Sequence, residues 1–192
     1  MLDEFTKQFQ FLRRLRYSCR MREVGSPNNI QLLILDSDGV LTDGGIFVDD
    51  RATETKRFNV RDGFAIRAWL EAKKEIAVIT GRGGLALRHR LDGLGVKNLI
   101  SASGPKKKVL EDLLKKFGVD AQHTAALGDD LPDLPMLKMV GFPMAVADAT
   151  DEIKAVAKWH ATKNGGHGAV REAIEFLLKS SGEWERAVEG WG

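Results

Sequence analysis

The chain has 192 residues, with 29 Lys and Arg against 27 Asp and Glu, a formal net charge of +2. That length predicts one domain with room for a substantial core, and the balanced charge shows no electrostatic bias toward nucleic acid, for which a strongly basic face would be expected. A hydrophobic share of 43% and a charged share of 29% are ordinary globular composition and argue against disorder. Cys19 is the only cysteine, which excludes an internal disulfide and leaves no basis for a Cys-type zinc site. No apolar run approaches about 20 residues, so no membrane span is expected. Met1 is followed by no charged and apolar stretch of the secretory type. A cytoplasmic location, in a reducing compartment, is the expectation.

Residues 1–28 stand apart. Phe5, Phe9, Leu12 and Leu15 fall at helical spacing among Lys7, Arg13, Arg14, Arg16, Arg20 and Arg22. Either an amphipathic helix that packs on the body or on a partner, or a basic transit-like segment, would carry this pattern. Asp3, Glu4 and Glu23 favour the packing or frayed helix, because transit segments are poor in acids. Gly25-Ser26-Pro27-Asn28-Asn29 then reads as a breaker and linker.

From Ile30 the pattern alternates. Ile30–Leu35 is a short continuous apolar run, as expected of a strand buried on both faces. Runs of the same type follow at 76–80, 96–100, 124–127 and around 144–146. Helical stretches are predicted between and after them, at 62–73, 83–93, 105–117, 131–139, 150–157 and 168–179. Strand and helix in alternation predict an α/β fold, a Rossmann-like parallel sheet covered by helices on both faces. One segment breaks the alternation. Two short extended runs between Gly44 and Phe58 flank the polar turn Asp49-Asp50-Arg51, which predicts a β-hairpin. It leaves from the carboxyl end of the first strand, where open α/β sheets bind ligands, so it is a candidate flap over a site.

Asp36-Ser37-Asp38-Gly39-Val40-Leu41-Thr42-Asp43-Gly44 follows the first strand directly. Two carboxylates at a strand end repel one another unless a cation relieves them, and a hard divalent ion such as Mg²⁺ suits oxygen ligands. Taken alone, an Asp-rich turn or helix cap accounts for the pair equally well. Other strand ends add to it. Thr80-Gly81-Arg82 places a hydroxyl and backbone N–H groups at a helix start, a ready phosphate cradle. Lys106 opens the 105–117 helix, where its charge opposes the macrodipole and calls for an anion. Gly128-Asp129-Asp130 supplies two more carboxylates. Each has a plainer reading as a cap or a solvated charge, but Asp, Thr, Lys and Asp in order at four strand ends is an ordering chance rarely produces.

That ordered set resembles the haloacid dehalogenase superfamily, over about residues 30–179. More narrowly, residues 38–44, 58–63, 79–82, 128–130, 145–149 and 165–172 are similar to the 3-deoxy-D-manno-octulosonate 8-phosphate phosphatase family. The resemblance implies a capless phosphatase domain over 30–180 with the flap at about 44–58, preceded by the segment 1–29 and followed by a tail at 181–192. It implies Mg²⁺ as cofactor, a sugar acid phosphate from lipopolysaccharide precursor synthesis as substrate, and a homotetramer whose neighbouring subunits help close each site. Carried over residue by residue, Asp36 is the nucleophile and Asp38 the acid and base, whose backbone carbonyl also binds the metal. Thr80 and Lys106 hold the phosphoryl oxygens. Asp36, Asp38 and Asp129 form the metal site, supported by Asp130, while Arg61, Gly81, Arg82 and Arg171 lie by the substrate. Three positions depart from the family pattern: Ser37 is usually apolar, Gly83 follows Arg82 where a second Arg is frequent, and His167 replaces a frequent Arg. A phosphatase for a nine-carbon ulosonate 9-phosphate and a non-catalytic oligomerisation module are the competing readings. The presence of Asp36, Asp38, Thr80, Lys106 and Asp129 weighs against the second.

Overall fold

The computed structural model describes residues 25–102 and 106–191. The amphipathic pattern at Phe5, Phe9, Leu12 and Leu15 and the expected helix start at Pro105 lie outside the described residues. Six parallel strands form the sheet: β1 (Leu32–Leu35), β4 (Glu75–Thr80), β5 (Asn98–Ser101), β6 (Thr124–Gly128), β7 (Phe142–Ala145) and β8 (Trp159–His160). Their spatial order is β5-β4-β1-β6-β7-β8. Every residue of β1 is buried. Successive side chains of a strand point to opposite faces, so both faces of the sheet are covered, as the unbroken apolar run requires.

The helices are α1 (Val60–Glu71), α2 (Leu85–Leu94), α3 (Lys106–Phe117), α4 (Leu134–Leu137), α5 (Asp151–Val156), α6 (Ala169–Ser180) and α7 (Trp184–Val188). Boundaries moved where a local signal was stronger than the hydrophobic period. α1 begins at Val60 rather than 62 because Asn59 caps it, its side chain accepting from the Arg61 N–H at 2.8 Å. α2 begins two residues late because Gly83 and Gly84 precede it, and Gly95, at φ +84°, ends it in a left-handed cap. The single helix expected at 131–139 is a 3-10 turn at Leu131–Asp133 followed by α4. Pro132 and Pro135 remove the N–H groups that a continuous helix would need.

Two features went unanticipated. β8 is only two residues long, too short for a periodicity signal. The stretch expected as a tail carries α7 and a 3-10 turn ending at Trp191, whose ring meets Phe64 of α1 edge-on with centroids 5.2 Å apart. The hairpin forms as expected, with β2 (Phe47–Val48) antiparallel to β3 (Glu54–Thr55). Its turn is organised by Asp49, which accepts from the Arg51 and Thr53 N–H groups at 2.9 and 2.8 Å. Ile46, Phe47 and Val48 remain more than half exposed, at 55%, 56% and 59%.

The chain runs from β1 outward to β4 and β5, then returns to β6 on the other side of β1. The strand order therefore reverses between β1 and β6. In open α/β sheets the crevice beyond the carboxyl ends at such a point is the ligand site. Leu35 of β1 is in register with Val78 and Leu127, so Asp36, Thr80 and Asp129 emerge along one rim.

Packing of α1 on α6 includes a buried carboxylate. Asp62 accepts from the Arg171 N–H at 2.8 Å, which satisfies a donor in the first turn of α6. Burial pushes its carboxyl up to about 6, against the Arg171 and Gly168 N–H groups. An unfolded Asp titrates near 3.9, so the native state binds the extra proton between the two values. Stability from this group is therefore full in acid, declines as pH rises to about 6, and stays reduced above it. Asp62→Asn keeps the acceptor and removes the charge. It is expected to raise stability by about 1–2 kcal/mol near neutral pH, and the gain should disappear in acid when melting curves are compared.

Candidate active site

Asp36 leaves β1 with its N–H donated to the Leu127 carbonyl at 3.3 Å. The chain then turns so tightly that the N–H groups of Val40, Leu41 and Thr42 all point to the Ser37 carbonyl, at 3.4, 2.9 and 3.0 Å. Gly39, at φ +92°, makes this turn possible, and a Cβ there would lie 2.0 Å from Asp129 Oδ2. The bare glycine is what admits the Asp129 carboxylate to the loop. Gly165 supports the same loop from behind, since a Cβ on it would lie 1.8 Å from the Gly39 carbonyl oxygen. The Ser37 hydroxyl is buried with no hydrogen-bond partner among the described residues.

Lys106 joins three elements. From the first turn of α3 its ammonium donates to Asp36 Oδ1 and to Asp133 Oδ1, both at 2.5 Å. The anion that a lysine at a helix start calls for is thus supplied twice. Asp133 is buried, and its other oxygen accepts from the Asp129 N–H at 3.0 Å. Asp133, rather than Asp130, is the acid that meets Lys106 and the Asp129 backbone. Asp130 is exposed, and its carboxylate caps the 3-10 turn by accepting from the Leu131 N–H at 2.7 Å. Sequence reasoning missed Asp133. Its signal was the spacing from Asp129 across Pro132, one helical turn that returns the side chain to the strand end.

The electrostatics follow from crowding. Burial and the Asp133 charge push the Asp36 carboxyl up to about 6, with Lys106 pulling the other way. Burial, then Asp133, Asp36 and Asp130, push Asp129 up to about 8. Burial opposes the charge on Lys106, but the Asp133 and Asp36 carboxylates outweigh it and hold its pKa above the ordinary lysine value. Carboxylate oxygens of Asp36, Asp129 and Asp133 lie within 4.8 Å of one another. Three carboxylates around one ammonium leave negative charge to be neutralised, and an all-oxygen donor set suits a hard cation of the Mg²⁺ class. Both oxygens of Asp133 already have donors, so Asp36 and Asp129 are the side chains positioned to hold such an ion.

The Asp38 carboxylate is not in that acidic group. It turns toward the hairpin and pairs with Lys56. Thr80 is buried at the end of β4, its hydroxyl accepting from the Arg82 N–H at 3.1 Å. Asp36, Asp38, Thr80, Gly81, Arg82, Lys106 and Asp129 line one cavity of about 580 Å³.

Arg61 and Arg171 do not line it. Both border a second groove of about 440 Å³ with Phe64, Trp184 and Trp191. Arg171 is committed there, donating to Glu175 at 2.8 Å with its guanidinium 5.0 Å from the Phe64 ring and 4.6 Å from that of Trp184. α6 points this side chain along the α1–α7 seam, a direction no linear spacing reveals. Arg57 of the hairpin base pairs with Asp43 and lies 3.3 Å from His167 Nε2, whose Nδ1 is 2.7 Å from the Gly165 carbonyl. His167 therefore ties the hairpin to the glycine loop.

A family model described as haloacid dehalogenase-like hydrolase matches residues 93–174. The 3-deoxy-D-manno-octulosonate 8-phosphate phosphatase KdsC of Escherichia coli K12 is 40% identical over 164 residues, 85% of this chain and 87% of that protein. This chain belongs to that phosphatase family. Among solved structures, the phosphatase of the same name from Yersinia pestis matches with a TM-score of 0.82 at 36% identity, covering 85% of this chain and 89% of the other. The Moraxella catarrhalis phosphatase, in complex with magnesium ion, phosphate ion and a KDO molecule, matches with a TM-score of 0.84 at 35% identity, covering 90% and 100%.

Metal binding to this site has a definite pH signature. Asp129 must lose a proton held up to about pH 8 before it can serve a cation. Mg²⁺ affinity is therefore expected to rise by up to about tenfold per pH unit between about pH 6 and 8, and more steeply below 6 where Asp36 also holds a proton, with proton release seen in calorimetry across buffers. Asp129→Asn should abolish the stabilisation that Mg²⁺ gives in thermal melts. A pH-independent affinity would contradict the arrangement.

Proposed function

We propose that this protein is a Mg²⁺-dependent phosphatase that hydrolyses 3-deoxy-D-manno-octulosonate 8-phosphate through an aspartyl phosphate. The observation that carries the reading is the buried Lys106 ammonium, held 2.5 Å from Asp36 Oδ1 within reach of Asp129 and Thr80. Phosphoryl transfer needs in-line positioning and neutralised charge more than it needs covalent artifice. Asp36, fixed by Lys106, attacks phosphorus with the carboxylate oxygen turned toward the cavity. Lys106 and the Thr80 hydroxyl hold the phosphoryl oxygens, joined by the Gly81 N–H at the end of β4. Asp38 gives a proton to the departing sugar oxygen and later takes one from the attacking water. Mg²⁺, held by Asp36, Asp129 and the Asp38 backbone carbonyl, supplies charge neutralisation. A carboxylate nucleophile divides the hydrolysis into two lower barriers.

Ile46, Phe47 and Val48 are exposed on a two-stranded ribbon that is marginal alone. Packing against the hairpins of other copies in a homotetramer would bury them and screen the cavities from water. In that assembly Arg61, exposed on α1, is available to a neighbouring site, whereas Arg171 serves structure. The substrate class places the protein in lipopolysaccharide precursor synthesis. Cytoplasmic location belongs to the same proposal, and the single cysteine accords with a reducing compartment. No described helix is long and apolar enough to cross a membrane.

Three measurements test this reading. Phosphate release from a panel of sugar acid phosphates should favour the eight-carbon substrate over a nine-carbon ulosonate 9-phosphate, and chelation should abolish it. Asp36→Asn should leave no covalent phosphoenzyme and less than about one part in 10⁴ of the activity; near-normal turnover would exclude the mechanism. Phe47→Asp should dissociate the tetramer in light scattering and lower activity on the sugar phosphate more than on a small ester. Dissociation with full activity would show that the hairpin does not build the site.

A further inference from the structure

Asp38 is held from outside the sheet. Glu54 opens β3 and Lys56 lies just beyond its end, and the two side chains meet beside Asp38. The Lys56 ammonium pairs with Asp38 Oδ1 and lies 3.2 Å from Glu54 Oε1. Arg82 closes the circuit, its Nη2 donating to Glu54 Oε2 at 3.0 Å and its Nε standing 3.9 Å from Asp38 Oδ2. Carboxylate, ammonium, carboxylate and guanidinium alternate around a ring contributed by the β1 loop, the hairpin and the β4 loop.

The burial is what singles out Lys56. Lysines on hairpins are ordinarily solvated, and Ile46 to Val48 of this same hairpin are exposed. The Lys56 side chain is only 5% exposed, matching the 6% of Lys106. A buried ammonium is tolerated where carboxylates meet it, and here one of them is the proposed proton carrier. With Oδ1 of Asp38 engaged, Oδ2 is buried and makes no hydrogen bond among the described residues. Lys56 thereby sets the rotation of the carboxyl group, whose other oxygen is left without a hydrogen bond.

We propose that Lys56, backed by Glu54, is a positioning residue for proton transfer by Asp38, so that the hairpin orients the chemistry as well as covering it. This rests on the phosphatase reading above. In the first step the Asp36 oxygen bonds to phosphorus and the bond from phosphorus to the sugar oxygen breaks. The departing oxygen keeps the electron pair and takes the proton from Asp38 Oδ2. In the second, Asp38 Oδ2 accepts a proton from water as the water oxygen bonds to phosphorus, and the bond to Asp36 breaks to restore its carboxylate. Lys56 stays an ammonium throughout. It touches Asp38 rather than the reacting atoms.

Leaving-group dependence separates positioning from substrate binding or simple folding. An alkyl phosphate needs a proton on its leaving oxygen, whereas nitrophenyl phosphate releases a stable anion without one. Lys56→Met is expected to lower the single-turnover rate on the sugar phosphate by about 10²-fold with little change in KM, while the nitrophenolate burst stays within about threefold of normal. Lys56→Arg, which keeps charge and length, should recover most of the loss, and Glu54→Gln should show the same pattern more weakly. Equal losses on both esters, or a raised KM with unchanged kcat, would overturn the proposal; the latter would make Lys56 a substrate contact. If Lys56→Met fails to fold by circular dichroism, Lys56→Gln against Lys56→Arg gives the same comparison. A wild-type protein with neither burst nor phosphate release would instead overturn the phosphatase reading, before any Lys56 variant is made.

Discussion

One ammonium, that of Lys106, makes the rest of this site possible. Three carboxylates converge at the reversal point of the sheet, and carboxylates at such spacing cannot all stay charged in a buried place unless cations meet them. Lys106 binds two of them, Asp36 and Asp133, at 2.5 Å each. Removing one partner of a buried pair leaves an uncompensated charge, a cost of about 3–5 kcal/mol. The geometry is therefore held tightly, and the nucleophile has little freedom to turn away from the phosphate position. The residual negative charge is the reason a divalent cation fits beside Asp36 and Asp129.

Glycines decide how close the loops come. At Gly39 the Asp129 carboxylate occupies the space of a missing side chain, and at Gly165 the loop of residues 165–168 lies against the Gly39 carbonyl. The β1 loop is thus clamped between an acid in front and a glycine loop behind. Neither contact stabilises the fold by hydrophobic burial. They bring oxygen atoms to one point, where their repulsion becomes affinity for cations and for a phosphoryl group.

The hairpin extends the same electrostatic logic outward. Asp38, Glu54, Lys56 and Arg82 alternate in sign, and Asp43, Arg57 and His167 form a second link at the hairpin base. A two-stranded ribbon has too little apolar contact to stand alone. These ion pairs dock its inner side onto the loops of the sheet, while its apolar side chains face outward. Such an arrangement makes the hairpin part of the site and an exposed surface at once.

Much of this was legible in the linear chain. Leu32–Leu35 announced a doubly covered strand because four apolar residues in a row can only be buried on both faces, and the alternation of such runs with helical stretches set the parallel α/β class. Asp36, Thr80, Lys106 and Asp129 could be placed in one cavity because strand ends in a parallel sheet fall on one rim. Tertiary structure alone decided the partners. Asp133 replaced Asp130 because Pro132 curls the chain into a tight turn that swings one acid inward and leaves the other as a cap. Arg171 was lost to the cavity because the rotation of α6 against α1 and α7 aims it between Phe64 and Trp184. Lys56 was gained because the hairpin folds back by 18 residues onto Asp38. Sequence determined which charges lie near the sheet's rim, since strand order and spacing are local properties. Which charge meets which depends on side-chain direction across separate elements, and only their packing sets that.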